Sequence, residues 1–160
     1  MRLQIAAVGR LKAGPERELL ERYVERANAA GRAVSLAPVE VAEVAESQAR
    51  RPADRTAEEA EKLQAIVPKG AKRIALDSRG RNLSSEELAI RLSKFRDQGA
   101  SAAAFLIGGA DGLTKSAVDG ADLTISFGAA TFPHQIVRIL LAEQIYRAIT
   151  ILSGHPYHRS

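Results

Sequence analysis

Five short apolar segments alternate with helical patterns, and this alternation constrains the fold more than any other feature of the chain. The segments are predicted strands: Leu3–Val8, Ala33–Val41, Arg73–Asp77, Ala102–Ile107 and Leu123–Phe127. Strands that alternate with helices in short units form a mostly parallel sheet with helices on both faces. We therefore predict an α/β fold with a mostly parallel sheet of about five strands, in a single domain over residues 1–160.

The helices between these strands are predicted from the signals at their ends, which are first-turn prolines, polar caps, a capping box and terminal glycines. These signals place helix starts at Pro15, Asp54–Thr56, Ser84 and Pro133. The first three helices are predicted to end at Gly31, Ile66–Val67 and near Asp97. Pro38 predicts that the second strand lies at a sheet edge or is irregular.

Ligands of parallel α/β sheets bind in loops that follow the carboxyl ends of strands. Three such loops are predicted to lie together: the one after Leu76-Asp77, Gly108–Gly112 and Phe127–Phe132. The glycines of the second loop permit close approach to the backbone, which suits a nucleoside-like ligand and equally an ordinary tight turn. Gly9–Gly14 has P-loop spacing, but Pro15-Glu16 replaces the required Lys and Ser/Thr, so it is predicted to be a plain turn.

The last helix carries apolar residues on nearly all sides: Ile136, Val137, Ile139, Leu140, Leu141, Ile145, Ile149 and Leu152. A helix on one face of a sheet needs only an apolar stripe. The excess predicts a homodimer, with complete burial inside a monomer as the alternative. Charged residues interrupt the helix at Arg138, Glu143 and Arg147, which argues against a membrane span.

Composition narrows the possible partners. The chain has no cysteine, which excludes disulfides, a thiolate nucleophile and cysteine-based metal sites. Its three histidines match no zinc-enzyme spacing, and we predict no metal. A net charge of +4 favours a polyanionic partner. The amino terminus lacks a secretory pattern, which predicts a cytoplasmic protein.

The C-terminal tail collects side chains suited to binding or chemistry. Tyr157, His158 and Arg159 offer a stacking surface, a titratable group and a ligand for phosphate or a base. On the preceding helix, Arg138 and Arg147 are two and a half turns apart and point to opposite faces. Arg138 lies nearer the Phe127–Phe132 loop and is the better functional candidate, whereas Arg147 is predicted to pair with Glu143.

These motifs resemble the ribosomal RNA large subunit methyltransferase H family, a group of small bacterial proteins in the SPOUT class. The resemblance covers essentially the whole chain. It is carried by Leu3–Gly9, Leu76–Gly80, Phe105–Leu113, Thr131–His134, Leu141–Ala148 and His155–Arg159.

The resemblance implies a C-terminal trefoil knot, a homodimer, and S-adenosylmethionine bound in the knot loops as methyl donor. By motif position the cofactor-binding residues are Leu76, Gly108, Phe127, Gly128, Ala129, Ala130, Thr131 and Phe132. The run 128–130 has smaller side chains than the Ser-Lys-Met type often found before Thr-Phe-Pro-His. Backbone contacts are therefore expected there.

The activity that the resemblance implies is methylation of N3 of a pseudouridine in the helix 69 stem-loop of 23S rRNA, on the assembled ribosome. We predict that His158 assists as a base or hydrogen-bond partner. Arg138 and Arg159 stabilise the developing anion or hold RNA phosphate, and Tyr157 stacks on the base. The competing hypothesis is a non-catalytic ribosome-binding factor, and a metal-dependent hydrolase is a more distant one.

Overall fold

Every strand runs parallel to its neighbours in the computed structural model, which describes residues 1–158. The strands are β1 (Arg2–Val8), β2 (Val39–Val44), β3 (Lys72–Asn82), β4 (Ala102–Ile107) and β5 (Leu123–Ser126), in the order β2-β1-β4-β3-β5. The helices are α1 (Pro15–Gly31), α2 (Pro52–Ile66), α3 (Ser85–Asp97), α4 (Lys115–Asp119) and α5 (His134–Ser153). The predicted α/β class and parallel five-stranded sheet are confirmed.

The two central neighbours β1 and β4 are buried on both faces, which explains their nearly unbroken apolar sequences. Alternate residues of β1 belong to different cores. Leu3 and Ile5 pack with residues of α1, α3 and α5, whereas Ala6 and Val8 pack with α2. Helices therefore cover both faces of the sheet, as predicted.

The second predicted strand begins too early. Residues 33–36 do not extend a strand, because α1 continues to Gly31 and is followed by a 3-10 turn, Arg32–Val34. The Leu36 amide donates to the Gly31 carbonyl at 2.9 Å, and Cβ of any residue at 31 would stand 2.3 Å from the Leu36 carbonyl oxygen. The strand itself lies after Pro38, and its predicted edge position is confirmed.

Other boundaries differ in smaller ways. Helix α2 begins at Pro52 and not at the Asp54–Thr56 cap, since the proline occupies its first turn. Strand β3 continues past Asp77 to Asn82 through an irregularity opposite Ile125. The short helix α4, capped by Thr114, was not predicted. The capping box of Ser84 and Glu87 is confirmed, as is the helix that follows Pro133.

Helix α5 packs against α1 and α3 as well as the sheet. These neighbours bury four of the eight apolar side chains that led to the predicted homodimer, Ile139, Leu141, Ile145 and Ile149. Phe132 and Ile136, at the start of the helix, are the large apolar side chains exposed there. None of the helices in residues 1–158 combines the length and hydrophobicity that crossing a membrane requires.

Candidate functional site

Two of the three predicted loops, those after β4 and β5, meet over residues 76–79 and line with them a pocket of about 520 Å³. The third predicted loop is wrong, because the residues after Asp77 continue strand β3. Seven of the eight predicted cofactor contacts line it: Leu76, Gly108, Phe127, Gly128, Ala130, Thr131 and Phe132. Ala129 lies within the same loop and is exposed. The remaining part of the pocket wall is the first turn of α5, which contributes His134 and Val137.

An ionised carboxylate stands at the β3 side of this pocket. Asp77 accepts hydrogen bonds from the Arg79 amide at 2.9 Å and from its guanidinium Nε at 2.8 Å. The Arg79 guanidinium holds the pKa of the Asp77 carboxyl below its usual value. The pocket therefore offers a carboxylate, paired with Arg79, next to the apolar side chains of Leu76 and Ile125.

The glycine loop after β4 closes on itself so tightly that a side chain has no room. A Cβ atom on Gly108 would lie 2.4 Å from the Gly112 carbonyl carbon, and the Gly112 amide donates to the Gly109 carbonyl at 3.0 Å. Gly112 has a φ of 78°, a region that favours glycine. The loop thus presents backbone to the pocket, and only glycine permits this closure at 108.

An ion pair that the sequence analysis missed fixes the same loop to α2. Arg55 donates to both oxygens of Asp111, with Nε at 2.7 Å and Nη2 at 3.1 Å. Arg55 is itself anchored, because Nη1 donates to the Ala49 and Arg50 carbonyls. The Arg55 guanidinium lowers the pKa of Asp111. No local pattern signals this pair, since its members are 56 residues apart.

Arg138 lies near the pocket but is buried and turned toward the ends of β1 and β2. Its guanidinium donates to the Gly9 and Val8 carbonyls, at 2.9 and 2.8 Å, and to Glu43 at 2.5 Å. Burial lowers the pKa of Arg138, and the charge of Glu43 opposes that shift. In the single chain Arg138 therefore joins α5 to the sheet, and its predicted contact with substrate stays a prediction.

The tail folds back on its own helix. Tyr157 packs on Tyr146 with ring centroids 4.5 Å apart and donates its hydroxyl to Glu143 at 3.0 Å. Burial, followed by the hydrogen bond to Glu143, raises the pKa of Tyr157. The Arg147 guanidinium lies 4.9 Å from the Tyr157 ring centroid and pairs with Glu143, which confirms the predicted pair.

His158 reaches the start of α3, where its Nε2 lies 2.8 Å from Glu86 Oε1. The adjacent Ser85 lines a cavity of about 510 Å³ that shares Phe127, Gly128 and Phe132 with the loop pocket. Among the described residues 1–158, the walls of the loop pocket include neither Tyr157 nor His158 of the same chain. Arg159 lies outside the described residues. Residues 1–158 contain no group of three or more carboxylate or imidazole side chains arranged to hold a metal.

The chain is similar to methyltransferases over nearly its whole length. The family model described as "Predicted SPOUT methyltransferase" matches residues 1–158. A "Ribosomal RNA large subunit methyltransferase H" from Xanthobacter autotrophicus is 59% identical over 160 residues, covering all of both chains. The protein of the same name from Methylocella silvestris is 55% identical over 159 residues, which is 99% of each chain.

A solved structure shares the fold at low sequence identity. It is described as a probable methylase family protein from Haemophilus influenzae, with a TM-score of 0.51 and 11% identity, and the match covers 99% of this chain and 70% of that one. The predicted resemblance is confirmed by the family match and by the full-length relatives. The chain belongs to the SPOUT methyltransferase family.

Proposed function

We propose that this protein transfers a methyl group from S-adenosylmethionine to rRNA of the large ribosomal subunit, at N3 of a pseudouridine in helix 69 of 23S rRNA on the assembled ribosome. The observation that carries the proposal is the pocket of glycine backbone and apolar side chains that the loops after β4 and β5 form with residues 76–79 of β3. The name of the full-length relatives supports the rRNA substrate.

The residues of this pocket fit S-adenosylmethionine. Its adenosine is flat and largely apolar, and Leu76, Ile125 and Phe127 supply apolar walls next to exposed backbone. Its amino and sulfonium groups are positive, and the ionised Asp77 supplies the opposite charge. Bound there, the cofactor supplies an electrophilic methyl group, a chemistry that needs orientation and no metal.

The tail has its proposed role at the pocket of a partner subunit. In one chain His158 lies beside Glu86, next to the shared cavity and not in the loop pocket, so a second copy would have to bring a tail to it. We propose a homodimer in which Tyr157 stacks on the base and His158 accepts or shares the N3 proton. Arg159 binds phosphate or the developing anion. The exposed Phe132 and Ile136 contribute to the apolar interface.

We propose that residues 1–160 act as one domain in the cytoplasm, that the C-terminal part is knotted, and that Arg138 assists the site from beneath. No metal is required.

Calorimetry and methyl transfer to ribosomes test this proposal together. We expect the protein to bind S-adenosylmethionine and to transfer its labelled methyl group to 23S rRNA of ribosomes from cells that lack this gene. Mass spectrometry of the rRNA then locates the modified base. A non-catalytic ribosome-binding factor would bind ribosomes without binding the cofactor, and that result would overturn the proposal.

His158→Ala and Arg159→Ala separate the tail from the pocket. Both variants should bind S-adenosylmethionine and lose methyl transfer. Mixing His158→Ala with a pocket variant, Gly108→Val, tests the partner's contribution, because the mixed dimer has a complete site only if the pocket of one chain works with the tail of the other. Normal transfer by both single variants would remove the tail from the mechanism.

A further inference from the structure

A second cavity lies along the same edge of the sheet, over the ends of β1 and β2. It has a volume of about 550 Å³, and its walls come from the residues after β1, the residues after β2 and the start of α5. The strand order places β1 next to β4, so this cavity and the loop pocket occupy neighbouring stretches of one carboxyl edge. Ligands of parallel α/β sheets bind along this edge, where connections diverge to opposite sides.

One side chain borders both cavities. His134, the first residue of α5, lines the loop pocket and the second cavity. Its Nε2 lies 3.6 Å from Glu46 Oε1. The absence of a side chain at Gly9 makes room for this pair, because a Cβ atom there would lie 2.9 Å from Glu46 Oε1 and 3.2 Å from His134 Nε2. Two ligands, one in each cavity, would therefore come close to each other at His134.

The charges of the second cavity favour a neutral polar ligand over a free anion. Arg10 and Lys12 are balanced by Glu16 and Glu46. A free phosphate in the cavity would lie near the two carboxylates as well as the two cations. A nucleotide can instead place its neutral base in the cavity and keep its phosphates outside. Arg10 and Lys12 are exposed and can reach phosphates outside the cavity.

The amide side chains that line the cavity can form hydrogen bonds with a pyrimidine base. Gln48 and Gln135 each carry an amide with both donors and an acceptor. A pseudouridine base presents an N1–H donor beside a carbonyl acceptor, which these amides can pair with while N3 stays free to face the methyl donor. The cavity volume exceeds that of one base, which leaves space for its ribose.

We propose that this second cavity is the acceptor subsite: it holds the uracil-type nucleotide that receives the methyl group, with His134 at the border with the loop pocket. This inference rests on the proposed function, and it names the place of the acceptor within the chain. His134, Gln48 and Gln135 would contact the base, and Arg10 and Lys12 would contact flanking phosphates.

A photocrosslink tests the position directly. Ala13 is exposed, lines the cavity and lies in the turn before α1, so benzoylphenylalanine can replace it without entering the core. Irradiation with ribosomes that lack the modification should crosslink the protein within about two nucleotides of the base that the wild type methylates, because the side chain reaches only its immediate neighbours. A crosslink mapped elsewhere would overturn the subsite. The same probe at Ala57, exposed on α2, is the control and should not label that position.

Blocking the cavity gives a second readout. Ala13→Trp should lower methyl transfer at least about tenfold while leaving the affinity for S-adenosylmethionine within about twofold, since the residue lines only one of the two cavities. Ala57→Trp should change neither quantity. A wild-type protein that methylates no ribosome would refute the proposed function. A wild-type rate for Ala13→Trp, beside an active wild type, would refute the subsite alone.

Discussion

The two arginines of α5 have similar chemistry and opposite surroundings. Arg138 is fully buried, and two of its three partners are backbone carbonyls at the end of β1. Arg147 keeps 26% of its side-chain exposure, and its partners are side chains, Glu143 one turn away and the Tyr157 ring. The first joins the helix to the sheet, and the second supports the tail.

Burial and the type of partner therefore decide how much each arginine contributes to stability, more than the residue type does. Carbonyls at a strand end cannot move away without disturbing β1, so losing Arg138 leaves them unsatisfied. Glu143 and Tyr157 lie near the surface, where water can replace a lost guanidinium.

Arg138→Met should give the largest loss of stability. The variant keeps an unbranched buried side chain but removes the guanidinium donor of the Val8 and Gly9 carbonyls and leaves Glu43 with the Leu11 amide alone. We expect the free energy of unfolding to fall by about 3–5 kcal/mol, as when one partner of a buried pair is removed. Urea denaturation measures it. Arg147→Met is the matched control, with an expected loss of about 0.5–1 kcal/mol. Equal losses in the two variants would contradict the comparison.

The same arginine shows how far the sequence could lead. Its position in the first turns of α5, shortly after the Phe127–Phe132 loop, follows from the order of residues in the chain. Its burial was not predictable, because Glu43 is 95 residues away and comes close only when β1 and β2 pair. Local signals such as the capping box at Ser84 gave correct boundaries, since donor and acceptor lie within one turn.

The site divides in the same way. The two glycine-containing loops after β4 and β5 were correctly predicted to meet, because the rule for strand ends needs only the order of elements. The loop predicted after Asp77 is strand, because its residues pair with β5 beyond an irregularity. Arg55 was read as part of a helix cap, and its bond to Asp111 depends on how α2 packs beside β4. The contact of His158 with Glu86 likewise depends on the tail folding back across α5. Sequence periodicity describes one element at a time and carries no information on such pairs.

The Arg55–Asp111 pair is slightly more exposed than the Arg147–Glu143 pair, at 28% and 27% against 26% and 17%, and it tests whether a partly exposed pair can matter through position. Asp111→Asn removes the charge that Arg55 binds and loosens the glycine loop. We expect affinity for S-adenosylmethionine to fall by about tenfold, since a charge-assisted bidentate pair fixes the loop. Calorimetry measures it. Asp54→Asn, which breaks the exposed pair with Arg51 on the same helix, should leave affinity unchanged. Equal affinities for both variants would show that the loop holds its shape alone.

Glu143→Gln sharpens the contrast at the tail end of the helix. This carboxylate accepts from both Arg147 and the Tyr157 hydroxyl, so one substitution weakens two anchors. We expect the free energy of unfolding to fall by about 1 kcal/mol, as for partly exposed pairs. Carboxypeptidase should also remove the tail faster. Glu86→Gln, which affects the His158 contact, is the comparison variant. Unchanged digestion of Glu143→Gln would mean that ring packing alone holds Tyr157.

The smallest effect is expected at alkaline pH, where Tyr157 alone is tested. Burial and the hydrogen bond to Glu143 raise its pKa in the folded chain. Below the ordinary tyrosine pKa of about 10, the hydroxyl keeps its proton in both states and its contribution to stability is fully present. As the pH rises above that value, the unfolded chain loses the proton first, and the contribution declines.

Wild type and Tyr157→Phe should therefore differ most at pH 8, and the difference in their free energies of unfolding should shrink at higher pH. Urea denaturation at several pH values measures this slope. A difference that stays constant through this range would mean that the hydroxyl titrates freely, and the tail would then be attached through its ring and not through Glu143.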